Sequence, residues 1–274
     1  MIKSSIGLKA KVRNVSKGNS GVAQALIRIF FMERFLERIS LSKYKNKFVI
    51  KGGMLVSSLI GVNLRTTMDI DTTVEAISLE KDELKKIIME ICEIPLDDHV
   101  SFKIIYMETI MDEFDYQGIR IHMEALLENL KQPIKIDVST DDAITPGAIE
   151  YKYSLLFEER SILLNTYNIE TLMAEKSQTI ISRGLANTRM RDFYDLYEII
   201  QKLNFSWDIY RQAFFSTCTK RKTSFSKERV EAELINISSS MKMKEMWNKF
   251  KSKNYYVDDI EYSIILKNIY DTII

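Results

Sequence analysis

The sequence predicts an α+β chain, with a mixed β-sheet and helices over residues 1–167 and a bundle of helices over residues 168–274. Three observations predict it. Between Phe48 and Val74 a short apolar run, a Gly-Gly pair, a helical stretch and a second short run follow one another. Between Val100 and Ser139 apolar residues alternate or run together. From Asn168 onward the spacing is helical to the C-terminus. Period two marks a half-buried strand, and period 3.6 marks a helix packed on one side.

Taken in order, Met1 to Ser20 is polar and basic, and Ser16-Lys17-Gly18-Asn19-Ser20 reads as a flexible entry. Val22 to Ile39 carries Leu26, Ile29, Phe30, Leu36 and Ile39 at helical spacing and is expected to pack on the sheet. Phe48-Val49-Ile50 is a strand stopped by Gly52-Gly53, Met54 to Ile60 is a helix, and Met68-Asp69-Ile70-Asp71 opens a second strand. Leu79 to Cys92 is an amphipathic helix with Leu84, Ile87, Ile88 and Ile91 on one side. Val100 to Glu108, Ile119 to Ala125 and Ile134 to Ser139 are strands, with Asp115 to Gly118 as a turn between the first two. Asp141 to Glu159 is a mixed segment, and Ile162 to Tyr167 is one more strand. This is a mixed sheet rather than a βαβ series.

Composition narrows the function. At 274 residues, with 46% hydrophobic and 28% charged residues, the chain is that of a soluble globular protein. Its net charge of +1 requires any nucleic-acid affinity to come from a local patch. Cys92 and Cys218 are too few for a disulfide framework, and with only His99 and His122 beside them no zinc site is readable. With no stretch of about 20 apolar residues and no signal-type apolar core, the expected location is the cytoplasm, with no membrane partner.

The chemistry concentrates in residues 48–74. Side chains alternate along a strand, so Asp69 and Asp71 project from one face. Two carboxylates beside glycines whose backbone a phosphate can approach suit metal-assisted phosphoryl chemistry. A D-x-D pair is also what the edge of a solvated strand presents. Lys51 precedes the glycines and Arg65 lies between them and the aspartates, which favours a phosphate site. In Pro133 to Ser139, Ile134, Ile136 and Val138 face one way, and Lys135, Asp137 and Ser139 face the other. Asp137 is then a candidate third carboxylate if that strand lies beside Asp69 and Asp71, and otherwise a surface residue.

In the helical half, Asn168 is a good N-cap for a helix whose apolar stripe of Ile169, Leu172, Met173 and Ile180 is completed by Lys176. Such a lysine either snorkels outward or meets an anion. The next helix, Arg189 to Leu203, repeats the anomaly with Asp192 in line with Leu196, Ile199 and Leu203. Arg191 and Asp195 can pair on the surface, or Asp192 can hold Lys176 in place. Arg183 and Arg189 flank the connection. Lys220, Arg221 and Lys222, near Phe214, Phe215 and Phe225, are either an RNA contact or a solvated loop. Met241 to Phe250 and Ile260 to Ile273 read as two further helices.

K-G-G at 51–53, D-I-D at 69–71, K-I-D at 135–137, A-E-K at 174–176 and R-x-R-D-F-Y-D-L at 189–196 together resemble the AbiEii/AbiGii-type toxins, which are nucleotidyltransferase-like toxins of abortive-infection and type IV toxin–antitoxin systems. The match spans roughly residues 48 to 200. It implies a nucleotidyltransferase-like domain at 1–167, a helical domain at 168–274, and a nucleotide bound between them. It implies magnesium on Asp69 and Asp71, with Asp137 as third carboxylate, and Lys176 and Asp192 completing the active site. Lys51, Gly52, Gly53, Ser57, Arg65 and Lys176 would bind the nucleoside triphosphate, either GTP or a pyrimidine triphosphate. Arg183, Arg189, Lys220, Arg221 and Lys222 would meet RNA, since relatives modify the 3′ end of tRNA and so stop growth. A cognate antitoxin would oppose this without a stable direct complex. Met54 departs from the serine that many nucleotidyltransferases place after the glycines. Transfer onto a protein hydroxyl and nucleotide sensing without turnover are the other readings.

Overall fold

The computed structural model describes residues 1–61, 67–78, 80–111, 117–254, 256–257 and 259–274. The chain divides into two compact units. Met1–Asp142 with Ala148–Tyr167 forms the first, and Ala143–Gly147 with Asn168–Ile274 forms the second.

Among the described residues the first unit is a seven-stranded mixed sheet with helices. Its strands are β1 (Phe48–Lys51), β2 (Ile70–Val74), β3 (Val100–Met111), β4 (Gln117–Leu127), β5 (Leu130–Thr140), β6 (Ile149–Ser154) and β7 (Ser161–Thr166), in the spatial order β3-β4-β5-β2-β1-β7-β6. β2 runs antiparallel to β1 and parallel to β5, and β1 runs parallel to β7. The alternation read in β5 holds: Ile134, Ile136 and Val138 are buried, whereas Lys135 is exposed and Asp137 half-buried. Against the buried face lies α2 (Ser20–Leu41), which buries Phe30, Phe31, Phe35 and Leu36. Each such side chain contributes roughly 1.5–3 kcal/mol relative to leaving it in water. α2 also buries charge. Arg38 makes a bidentate pair with Asp98 at 2.8 and 2.9 Å, and Arg34 bridges Glu37 at 3.0 Å and Glu158 at 3.2 Å. α4 (Lys81–Cys92) buries Leu84, Ile87, Ile88 and Ile91.

Two elements differ from the sequence reading. The N-terminal segment, read only as polar and basic, holds α1 (Ser5–Ser16), capped by the Ser4 hydroxyl, which accepts from the Gly7 N–H. Its apolar stripe is thin, and Leu8 and Val12 are buried in the core cluster that α2 also joins. The mixed segment 141–159 contains β6, an edge strand that turns Tyr153 inward and leaves Glu150 and Lys152 at the surface. Arg65, Leu79 and residues 115–116 of the 115–118 turn lie outside the described residues.

The second unit contains α5 (Ile169–Arg183), α6 (Met190–Lys202), α7 (Trp207–Lys220), α8 (Lys227–Ser239), α9 (Met241–Lys253) and α10 (Tyr262–Ile273). Asn168 caps α5 as its residue type predicts: its Oδ1 accepts from Thr171 N–H at 2.8 Å, while its Nδ2 donates to the Thr145 and Gly147 carbonyls. Trp247 is fully buried, and its indole N–H donates to the Ile260 carbonyl at 3.0 Å. Among the described residues no helix is long and apolar enough to cross a membrane.

Candidate active site

β1 ends at Lys51, and α3 (Gly52–Ile60) begins at once, so the two glycines form the helix start rather than a separate turn. Gly52 has φ +62°, a backbone conformation that L side chains rarely adopt. The register of β1 on β2 sets Lys51 opposite Asp71. As a result the Asp71 carboxylate lies over the start of α3, where its Oδ2 accepts from the Gly53 N–H at 3.2 Å. A Cβ on Gly52 would overlap that carboxylate.

β5 does lie beside β2, with Asp71 opposite Asp137. Asp69 stands just before β2, half-buried, and its Oδ1 is buried without a hydrogen-bond partner among the described residues. Burial, and then the Asp137 carboxylate, push both aspartates up, Asp71 to about 6. Asp137 is turned toward Arg120 of β4, whose Nε and Nη2 reach its two oxygens at 2.8 and 2.6 Å. No group of three or more His, Cys, Asp or Glu side chains placed to hold a metal occurs among the described residues. What fits a cation here is the pair Asp69 and Asp71, with one orphaned oxygen and two carboxylates whose crowding a positive charge would relieve.

The remaining residues of the strand–helix segment are engaged locally. Lys51 is paired with the Asp142 carboxylate and lies 5.6 Å from the centre of the Tyr167 ring. Asp142 also accepts from Ser139 at 2.9 Å and Tyr167 at 2.8 Å. Although burial pushes Asp142 up, Lys51 and these donors hold it below the usual carboxylate range. The Ser57 hydroxyl donates to the Gly53 carbonyl at 2.9 Å, and Met54 is buried.

In the second unit the lysine in the apolar stripe of α5 does not snorkel. Lys176 Nζ donates to Asp192 at 2.9 Å and to Asp195 at 2.8 Å, both on α6. The Arg189 Nε lies 3.0 Å from the other Asp192 oxygen. Asp195 is fully buried, so it is not the surface partner of Arg191 that an i, i+4 reading allows. Its position three residues after Asp192, on the same helix face, was the available signal. Arg221 is spent internally, donating to Gln178 at 2.6 Å, Thr179 at 3.1 Å and Glu175 at 3.1 Å. This leaves Lys220 and Lys222 as the exposed part of the basic run. Arg183 is half-buried in the last turn of α5, and Arg189 is exposed.

The family model described as nucleotidyl transferase AbiEii toxin, type IV TA system, matches residues 34–267. The chain belongs to that family. Among solved structures this AbiEii-family chain is similar to JHP933 from Helicobacter pylori, at 13% identity over 91% of this chain and 90% of that one, with a TM-score of 0.51. It is also similar to a putative nucleotidyltransferase from H. pylori, at 14% identity over 91% and 92%, with a TM-score of 0.52. These likenesses show a shared nucleotidyltransferase-like fold. No curated protein matches the sequence. The family adds the coarse function: a nucleotidyltransferase toxin of a toxin–antitoxin system.

Proposed function

We propose that this AbiEii-family toxin transfers a nucleotide from a nucleoside triphosphate onto the 3′ end of an RNA, tRNA foremost. The observation that carries the reading is the pairing of Asp71 with the start of α3. A carboxylate held by the Gly53 N–H and packed on Gly52 stands beside Asp69, whose Oδ1 has no partner among the described residues. Magnesium is usually bound through one or two carboxylates, with substrate phosphates completing its shell. A two-aspartate set therefore suits an ion whose shell the triphosphate completes. When bound, the ion would supply charge neutralisation at the phosphoryl oxygens.

The chain's own residues would do the positioning. Gly52 and Gly53, which carry no side chains, are the proposed backbone contacts of the triphosphate, with Lys51 and Ser57 beside them in the chain; Arg65, outside the described residues, is the remaining candidate. Lys176 is the proposed triphosphate contact from the helical half, with Asp192 fixing its ammonium. Arg183, Arg189, Lys220 and Lys222 attract the RNA backbone. In the reaction the acceptor hydroxyl oxygen bonds to the α-phosphorus and its proton passes to water, the bond from the α-phosphorus to the bridging oxygen breaks, and pyrophosphate leaves. GTP is the proposed donor, with a pyrimidine triphosphate as the alternative, and a cognate antitoxin opposes the effect without a stable direct complex.

Incubating the protein with each α-labelled triphosphate, magnesium and total cellular RNA tests the reading. Label is expected in an RNA band for the wild type and to be absent for Asp71→Asn. Label in a protein band instead would make the acceptor a protein hydroxyl. Nucleotide binding with no pyrophosphate release would make the chain a sensor.

A further inference from the structure

The face of the sheet that carries Asp71 continues outward over β5, β4 and β3. Side chains on this face alternate with the buried ones, so Asp137 and Lys135 on β5, Arg120 and His122 on β4, and Tyr106 on β3 share it. The β3–β4 register shifts between Ile104 and Tyr106, and the extra residue is Ile105. Without that bulge Ile105 would stand opposite His122; with it, Tyr106 does. Bulges that re-aim a side chain cluster near active sites. The Tyr106 and His122 rings are stacked, with centroids 4.0 Å apart and planes 15° apart, and the His122 Nε2 lies 2.8 Å from the carboxylate of Glu108, two residues further along β3. Tyr106 is 50% exposed, whereas the His122 side chain is only 18% exposed, so the tyrosine is the outer member of a fixed pair.

We propose that Tyr106, backed by His122, is a stacking platform for an unpaired base of the acceptor RNA. This rests on the transfer reading above and adds a place for the acceptor. Three strand spacings and two residues separate Tyr106 from Asp71, a backbone distance of about 16 Å, which a few extended nucleotides span. Lys135, opposite His122 on β5, is exposed on the route and offers positive charge to the RNA phosphates, whereas Arg120 is matched by Asp137. A sheet face with an aromatic platform and interspersed cations is a general solution for single-stranded RNA.

The test is fluorescence anisotropy of a short, unpaired, 5′-labelled RNA with a free 3′ hydroxyl. Tyr106→Ala is expected to weaken binding about tenfold, within the range for one base–aromatic stack. Tyr106→Phe is expected to restore it, which separates stacking from damage to the fold. Lys135→Gln is expected to lower the salt slope of binding by about 0.7. If Tyr106→Ala binds the RNA like wild type, the platform is overturned, and Ile105 and Tyr106 become a protein contact instead. A wild type that binds this RNA through Tyr106 yet labels no RNA overturns the transfer reading and leaves the platform standing. A wild type that labels RNA while Tyr106→Ala binds unchanged overturns the platform alone.

Discussion

The Asp71 carboxylate packs on the backbone of Gly52 so closely that no side chain fits between them. Gly52→Ala is therefore expected to do two things. The methyl group must displace the carboxylate, and it must adopt φ +62° at a strain cost of about 1–3 kcal/mol. A lower melting temperature, together with nucleotidyl transfer falling to background, is the expected outcome. A variant that melts and turns over like wild type would mean that the Asp71 position is not needed.

Asp71 is raised to about 6 by burial and by the neighbouring carboxylates, so its ionised form destabilises the folded chain. The penalty is complete above about pH 6, and it is relieved as pH falls toward the ordinary carboxylate value, because the folded state then takes up the proton first. Asp71→Asn is expected to raise stability at pH 7.5 by about 1–2 kcal/mol and to have little effect at pH 4. Urea unfolding at the two pH values checks it.

Magnesium should invert that order. If Asp69 and Asp71 bind the ion, millimolar magnesium raises the melting temperature of the wild type by mass action and leaves Asp71→Asn unmoved. Below about pH 6 the wild-type shift should fade as Asp71 takes up its proton. Thermal scans with and without the ion measure both effects and need no substrate.

Lys176 neutralises Asp192 and the buried Asp195. Removing one partner of a buried cluster costs about 3–5 kcal/mol, so Lys176→Ala is expected to lower stability steeply. A nucleotide role requires more than that. At a temperature where both proteins are folded, the variant should also bind the triphosphate at least tenfold more weakly, read by calorimetry. Unchanged binding would reduce Lys176 to a structural counter-ion.

The basic run divides by environment. Arg221→Ala is expected to destabilise the second unit by about 1–3 kcal/mol, because Gln178, Thr179 and Glu175 lose their donor. Replacing Lys220 and Lys222 with glutamine should leave melting within a few degrees. It should lower the RNA salt slope by about 0.7 for each lysine that pairs with a phosphate.

The sequence by itself determined what depends on neighbours along the chain. Alternation in Ile134 to Ser139 marked β5 and its two faces, the 3.6 period marked α2, α4, α5 and α6, and Asn168 marked where α5 begins. These are short-range patterns, and burial simply selects the face they already define. Asp69, Asp71 and the misplaced Lys176 and Asp192 were legible for the same reason, as polar residues that break a local pattern. Tertiary structure alone decided which polar groups meet. Asp137 lies opposite Asp71 but is claimed by Arg120, Lys51 is claimed by Asp142, and Arg221 turns inward, because strand register and helix packing join residues far apart in sequence. α1 was not legible because its thin stripe counts only once it has a core to join, and β6 because an edge strand keeps a polar face. The one-residue bulge at Ile105 is the sharpest case. No local pattern announces it, yet it places Tyr106 over His122, since one extra residue in a strand moves every later side chain to the opposite face.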